Sequence, residues 1–306
     1  MNKILIATEK PFAAIAVDGI RKVIENAGYE LVLLEKYTDH AQLLEAVADA
    51  DALIIRSDKV DAEVLGKATK LKIVVRAGAG YDNVDLAAAT KAGVIVENTP
   101  GQNSNAVAEL VFGMAVMAAR NMYAGTSGTE LKDKKLGIQA FGQVGRNVAR
   151  IAKGFGMEVS AIDPYCPDKV MEEAGVKPEH SLEDLYRNNN VVSIHIPATP
   201  ETIGSIGYEL ISLMPKGGIL INTARKEVID EAGLEKALAE RTDIKYVADV
   251  KPSNAENLEQ KFEGRVFFTP KKMGAQTSEA NINAGIAAAN QVVSYLRDGI
   301  DRFRVN

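Results

Sequence analysis

The sequence predicts an α/β protein of two doubly wound parallel-sheet domains, and three observations predict it. Short, almost wholly apolar runs alternate with helical patterns along the chain, in two series. Strands apolar on both faces belong to parallel sheets covered by helices on both sides. A Pro-Gly break at Asn98-Thr99-Pro100-Gly101 separates the two series. A strand, a small-residue turn, a helix and a second strand over 136–163 then form one βαβ unit.

In the first series the expected strands are 3–8, 31–34, 52–56, 71–76 and 94–96. Helical patterns lie between them, such as 12–27 and 42–48. The second series runs 136–140, 158–162, 191–194, 218–222, 245–248 and 266–268. After the break a long helix is expected from about Asn103 to Asn121, with Val107, Leu110, Val111, Met114 and Met117 along one stripe. Such a stripe is ordinary core, yet its Ala- and Met-rich surroundings also suit burial against a second subunit. A last Ala-rich helix, Ser278 to Arg297, follows the final strand of the second series and is expected to return to the first domain. The expected domains are therefore 1–98 with 276–306, and 99–275.

A length of 306 residues suits two domains, each with its own core. Apolar content of 46% and charged content of 25% are those of a globular protein. A net charge of −5 gives no electrostatic reason for nucleic acid or an anionic membrane as partner. The N-terminal apolar run is too short for a signal peptide, and no segment reaches transmembrane length. Cys166 is the only cysteine, so no internal disulfide forms and no metal-ligand spacing exists. A cytoplasmic protein without a metal is expected.

The run Leu136-Gly137-Ile138-Gln139 opens into Ala140-Phe141-Gly142-Gln143-Val144-Gly145 and then a helix. Small residues there let a backbone turn approach a pyrophosphate at a helix N-terminus. Asp163 lies 18 residues beyond Gly145, where a carboxylate accepts both ribose hydroxyls of an adenosine. No Arg or Lys directly follows it, so a 2′-phosphate meets repulsion, and the site favours NAD over NADP. Ala140 stands where the fingerprint has its first Gly, which is tolerable if the local φ is negative.

Further segments complete the picture: Ile55-Arg56-Ser57, the run Arg76 to Asp85, Asn98-Thr99-Pro100, Asn222-Thr223-Ala224-Arg225 and Ala248-Asp249-Val250. Together with the 140–145 turn, they resemble the D-isomer-specific 2-hydroxyacid dehydrogenases over essentially the whole chain. The Arg-Ser and Arg-Ala-Gly-x-Gly segments point to the branch that acts on phosphoglycerate. The resemblance implies a flavodoxin-like substrate-binding domain, made of the N-terminal third and the last helix, around a Rossmann NAD-binding domain. It also implies that this chain lacks the C-terminal regulatory domain of longer members.

Hydride chemistry on a 2-hydroxy acid needs a cation for the carboxylate and carbonyl, and a proton carrier. Arg225 follows the apolar run 218–222, which places it at the carboxyl end of a parallel sheet. Its fork can bind a carboxylate at two points and polarise a ketone oxygen. The resemblance assigns the family's catalytic Arg to this residue. The family's proton carrier is a His in a Thr-Pro-His-x-Gly-Gly-like segment, where this chain reads Thr269-Pro270-Lys271-Lys272-Met273-Gly274-Ala275. Counting back from Gly274 puts Lys272 in that place. The family's Glu partner falls on Asn254, five residues after Asp249. The two changes are coherent, because a Glu would raise the pKa of an ammonium that catalysis needs lowered from about 10.4. Glu256 stands as a displaced partner, against the reading that acids of 256–263 face solvent; His195 stands as an alternative acid or base.

For a phosphorylated substrate, Arg56 and Arg76 each follow an apolar strand of the first domain and project from the same sheet edge. The Gly78-Ala79-Gly80 backbone offers N–H groups to a carboxylate, with Ser57 and Asn103 as further hydrogen-bonding groups. The resemblance assigns Ala79, the Gly142–Gly145 turn, Asp163, His195, Pro197, Thr202, Thr223, Ala224, Arg225 and Asp249 to the cofactor. The expected activity is NAD-dependent oxidation of 3-phospho-D-glycerate to 3-phosphohydroxypyruvate, the first step of serine synthesis, by a homodimer joined through the 103–121 helix. Reduction of glyoxylate, hydroxypyruvate or another small 2-oxo acid is the nearer rival. An NAD-sensing binding protein is the rival of another class.

Overall fold

In the computed structural model, which describes residues 1–306, the chain divides between Asn103 and Ser104 and again between Ala275 and Gln276. The first unit is Met1–Asn103 with Gln276–Asn306; the second is Ser104–Ala275. The first continues through Thr99 because its N–H donates to Gly78 O at 2.9 Å.

In chain order the first unit holds β1 (Lys3–Thr8), α1 (Ala14–Asn26), β2 (Glu30–Glu35), α2 (His40–Val47), β3 (Ala52–Ile55) and α3 (Ala62–Lys67). It continues with β4 (Ile73–Arg76), α4 (Leu86–Lys91) and β5 (Ile95–Asn98). The second unit holds α5 (Ser104–Ala119), β6 (Lys135–Gln139), α6 (Gln143–Gly154), β7 (Glu158–Ile162), α7 (Asp168–Glu173), β8 (Lys177–Pro178) and α8 (Leu182–Asn188). Then come β9 (Val191–Ile194), α9 (Tyr208–Ile211), β10 (Ile219–Asn222), α10 (Glu231–Glu240), β11 (Lys245–Ala248), α11 (Ala255–Lys261) and β12 (Val266–Phe268). The last helix, α12 (Ser278–Asp298), belongs to the first unit.

The first sheet is parallel throughout, in the order β2-β1-β3-β4-β5. Its strands are apolar on both faces because alternate residues feed two cores. Ile4, Ile6, Ile54, Ile73 and Val75 pack with α1 and α12, while Leu5, Leu53, Ile55 and Val74 pack with α2, α3 and α4. Glycine lets α1 and α12 close on each other: a Cβ on Gly19 would stand 2.8 Å from Ile286 Cδ1, and one on Gly285 3.0 Å from Ile20 Cδ1. That close seam explains why the final helix returns to the first unit. Residues 303–306 then cover the β5 edge, with Val305 N–H donating to Val96 O and Phe303 N–H to Glu97 Oε1, both at 2.9 Å.

The second sheet is also parallel, in the order β12-β11-β10-β9-β6-β7-β8. The strand order reverses at β6, which pairs with β7 on one side and β9 on the other. A ligand crevice forms outside the carboxyl ends of strands at such a point. Here that locates the residues after Gln139 and after Ile194. The two-residue strand β8 has no apolar run to announce it, and the sequence reading passes over it.

The stripe on α5 is core at Val107, Val111 and Met114, all buried, whereas Leu110 and Met117 are half-buried. The helix stops at Ala119. Beyond it Asn121, Met122 and Tyr123 take φ of 52°, 55° and 58°, a left-handed turn that no right-handed helix can continue.

Candidate active site

At the switch point, β6 ends at Gln139 and the nucleotide turn begins. Ala140 has a φ of +81°, not the negative value that an alanine there was expected to need. The turn requires this backbone: Ala140 N–H donates to Ile162 O at 2.9 Å, and Phe141 N–H reaches the Asp163 carboxylate at 2.8 Å. Two bonds to the neighbouring strand end hold a conformation that costs an L-residue about 1–2 kcal/mol.

Gly142 is the N-cap of α6 and makes no side-chain cap. The first N–H groups of a helix have no intrahelical acceptor, so those of Gln143, Val144 and Gly145 are available to an anion. A Cβ on Gly142 would meet nothing within 4 Å, so no packing of the protein demands glycine there. Gly145 is different. Its Cβ would lie 2.3 Å from Ala140 O, so the helix could not sit against the turn.

Asp163 Oδ2 accepts from Phe141 N–H at 2.8 Å and Oδ1 from Tyr165 N–H at 2.9 Å. Each oxygen keeps a lone pair for a ribose hydroxyl. The residues present fit a dinucleotide.

Across the switch point, His195 follows β9. Its Nε2 lies 2.9 Å from Ser193 Oγ and its Nδ1 3.4 Å from Thr223 Oγ1. Burial pushes its imidazolium down to about 3, so the ring is neutral at physiological pH. Pro197 and Thr202 shape the loop that follows: Thr202 Oγ1 donates to Pro197 O at 2.6 Å and accepts from Thr199 N–H at 2.7 Å.

The Arg225 turn is built by a residue that sequence reasoning missed. Asn222, fully buried at the end of β10, accepts from Ala224 N–H through Oδ1 and donates to Arg225 O through Nδ2, both at 2.9 Å. A buried amide ending a strand just before Arg225 is the signal that would have found it. Arg225 is exposed, and its Nη1 donates to Ala224 O at 2.9 Å.

Lys272 Nζ donates to the same Ala224 oxygen at 3.4 Å, so the second lysine of the pair is the one that reaches the Arg225 turn. Lys271 is exposed. Asp249 is 1% exposed, and its carboxylate accepts from Thr269, Met273 and Gly274. Asn254 begins α11 with no side-chain cap, and its Oδ1 is buried with no hydrogen-bond partner. Glu256, Glu259 and Glu263 are all exposed.

In the first unit, Arg56 is engaged by the protein. Its Nη1 donates to Lys10 O at 3.1 Å and Pro11 O at 3.0 Å, its Nη2 to Asn281 Oδ1 at 2.7 Å, and its guanidinium lies over the Phe12 ring. Arg76 uses only Nε, on Arg56 O at 2.9 Å. Its outer nitrogens lie across Gly78, where a Cβ would stand 1.6 Å from Arg76 Nη1 and where φ is +155°. Burial lowers the pKa of both guanidiniums; Arg56 further lowers that of Arg76, and Asp82 opposes it. Both remain cations.

Ser57 and Ala79 are exposed, and Gly80 and Asn103 half-buried. Ala79 O is held by Asn98 Nδ2 at 2.7 Å. A hub beneath this edge was not foreseen: Asp58, 3% exposed, accepts from Glu9 N–H, Tyr37 Oη and Arg56 N–H. It ties three loops together.

Two doubly wound units with a dinucleotide turn at the switch point of the second define a nicotinamide-nucleotide dehydrogenase architecture. Residues 105–270 match the sequence model described as D-isomer specific 2-hydroxyacid dehydrogenase, NAD binding domain. The chain belongs to that family, and its second unit is the family's NAD-binding domain.

It is 38% identical over 302 residues to the D-3-phosphoglycerate dehydrogenase of Methanocaldococcus jannaschii, covering 93% of this chain and 57% of that protein. It is 35% identical over 309 residues to the enzyme of the same name from Archaeoglobus fulgidus, covering 95% and 57%. The chain thus spans a little over half the length of these curated relatives. Among solved structures, NAD+-bound 3-phosphoglycerate dehydrogenase from Entamoeba histolytica matches with a TM-score of 0.86 and 46% identity, over 100% of this chain and 98% of that one. The D-lactate dehydrogenase of Escherichia coli matches with a TM-score of 0.79 and 25% identity, over 99% and 100%. No helix is long and apolar enough to cross a membrane.

Proposed function

We propose that this chain oxidises 3-phospho-D-glycerate to 3-phosphohydroxypyruvate with NAD+, the first step of serine synthesis, in the cytoplasm. The observation that carries the reading is the meeting of Arg225 and Lys272 at Ala224 O. One group is a fixed cation and the other a proton carrier. Arg225 binds the substrate carboxylate and polarises the C2 oxygen. Lys272, neutral when it acts, takes the hydroxyl proton as the C2–H bond breaks. The bound nicotinamide supplies the hydride acceptor. Arg76, with outer nitrogens not claimed by the protein, is assigned to the substrate's phosphate or carboxylate, and Ser57, Gly78, Ala79, Gly80 and Asn103 to its remaining oxygens. On the cofactor side the proposal assigns Gly142–Gly145 to the pyrophosphate and Asp163 to the adenosine ribose. The surroundings of the nicotinamide fall to His195, Pro197, Thr202, Thr223 and Ala224.

One observation favours a second reading on the same scaffold. The Arg56 guanidinium is taken up by Lys10 O, Pro11 O and Asn281, which leaves one fewer free cation for a phosphate. A smaller hydroxy acid, interconverted with glyoxylate or hydroxypyruvate, needs only one. Steady-state turnover of 3-phosphoglycerate with NAD+, with the product trapped, separates the two. Turnover supports the first reading. Reduction of glyoxylate or hydroxypyruvate with none of phosphoglycerate overturns it, and NADH binding without any turnover leaves a sensor.

A homodimer joined through α5 is part of the same proposal, supported by half-buried Leu110, Val116 and Met117 on that helix. A monomer in sedimentation at micromolar concentration would contradict it.

A further inference from the structure

The stretch of chain that carries Lys272 hangs from one buried carboxylate. Asp249, just past β11, is 1% exposed. Its Oδ1 accepts from Thr269 Oγ1 at 2.8 Å and Met273 N–H at 2.7 Å, and its Oδ2 from Gly274 N–H at 2.8 Å. Two of these donors are the main-chain groups immediately after Lys272. The approach depends on glycine: a Cβ at 274 would lie 3.0 Å from Asp249 Oδ2 and 3.1 Å from Val107 Cγ2. The main chain of Asp249 is itself tied to the strand end that precedes Arg225, since Asp249 N–H donates to Asn222 O at 2.9 Å.

We infer that Asp249 is a positioning residue for the proton carrier. It sets the register of residues 269–274 and thereby holds the Lys272 amine at Ala224 O, beside Arg225. The inference rests on Lys272 being that carrier. A lysine on four methylenes reaches many places, and proton transfer requires it within hydrogen-bond distance of one. Three donors converge on Asp249, so its place demands a group that only accepts. Both carboxylate oxygens do so. An Asn amide would keep one oxygen and turn an NH2 against the N–H of Met273 or Gly274, leaving a buried donor unpaired. The competing role, a direct contact from Asp249 to the nicotinamide amide, would make Asp249 act on the cofactor and not through the lysine.

The test is a double-mutant cycle on the full chain, with Asp249→Asn, Thr269→Val and Lys272→Ala alone and in pairs, read as kcat and KM with NAD+ and 3-phosphoglycerate. Asp249→Asn is expected to lower kcat by about 10²-fold, the range of a positioned acid/base, with the KM for NAD+ unchanged. Thr269→Val removes one bond of three and is expected to lower kcat by a smaller factor. In the Lys272→Ala background neither is expected to lower it further by more than about 3-fold, because groups acting as one unit are non-additive. Amide exchange at Met273 and Gly274 should quicken in Asp249→Asn with or without Lys272. Losses that multiply with that of Lys272→Ala, or a loss confined to the KM for NAD+, overturn the inference and leave the lysine in place. Full activity in Lys272→Ala overturns the lysine reading itself. If Asp249→Asn does not fold, Thr269→Val carries the same comparison.

Discussion

Arg225 and Lys272 donate to one carbonyl oxygen, Ala224 O, at 2.9 and 3.4 Å. Forty-seven positions apart in sequence, they meet because Asn222 and Asp249 fix the ends of adjacent strands. The expected outcome is asymmetric between the two neighbouring lysines. Lys272→Ala should cut turnover by about 10²-fold or more, and Lys271→Ala far less. Steady-state kinetics of the two single variants decides it; a dead Lys271→Ala with an active Lys272→Ala would move the register by one.

Arg76 and Arg56 should behave differently when truncated. Arg76 presents outer nitrogens beside Gly78, and Arg56 O, which its Nε bonds, keeps Asn83 Nδ2 as a second donor, so Arg76→Ala should weaken phosphorylated substrate by about 1.5–3 kcal/mol with only a small loss of thermal stability. Arg56→Ala also strips Lys10 O, Pro11 O and Asn281 of a donor, so it should lower thermal stability as well. Scanning calorimetry beside KM values separates a ligand from a brace. Unchanged activity on 3-phosphoglycerate in both variants would show that the phosphate is bound elsewhere.

Ala140→Gly should stabilise the protein, although glycine usually does the reverse. A φ of +81° costs alanine about 1–2 kcal/mol, against about 0.4–1 kcal/mol that glycine loses in the more mobile unfolded chain. A net gain of about 0.5–1 kcal/mol is expected from denaturant titration. A loss would mean that the alanine methyl makes packing contacts worth more than its backbone strain.

Much of this was legible in the sequence, and what was not has a physical pattern. Buried strands such as Glu158–Ile162 and Val191–Ile194 are local, since apolar composition and length suffice to mark them. The turn at Gly142–Gly145 was legible because a strand, a helix and an acid at fixed spacing accompany it. The sign of φ at Ala140 was not, because strand pairing to Ile162 overrides the preference of the residue. Nor were the side-chain pairs: Arg56 finds Asn281 225 positions away, and Asp249 collects donors from 269–274. Such pairings follow from packing, and no local pattern announces them.

Asp163 should set cofactor choice. Its carboxylate is fixed by Phe141 and Tyr165 N–H groups, so a 2′-phosphate would have to approach an anion that cannot turn away. NADH is expected to bind more tightly than NADPH, and Asp163→Ala to narrow the difference. That variant should weaken NADH too, because Phe141 N–H loses its acceptor. Equal affinities of the unaltered protein in fluorescence titration would remove Asp163 from this role.

His195 gives the pH prediction. Burial holds its imidazolium at about 3 in the folded chain, against 6.5 for an unperturbed histidine. The unfolded chain therefore binds more protons between those values, and stability rises with pH through that window. Its contribution is fully present above pH 6.5 and is lost as pH falls toward 3. At pH 4.5 the loss is on the order of 2–3 kcal/mol, from 1.36 kcal/mol per unit below the unfolded value. Urea unfolding at pH 7.5 and 4.5 should therefore show a smaller decline in His195→Gln than in the unaltered protein. The same shift bears on catalysis. A ring neutral from pH 5 to 9, with Ser193 on one nitrogen and Thr223 near the other, has no proton to offer as an acid and takes none up as a base. The pH dependence of kcat/KM should keep its shape in His195→Gln. An inflection near pH 6.5 that vanishes in that variant would make His195 the proton carrier and leave Lys272 without the role.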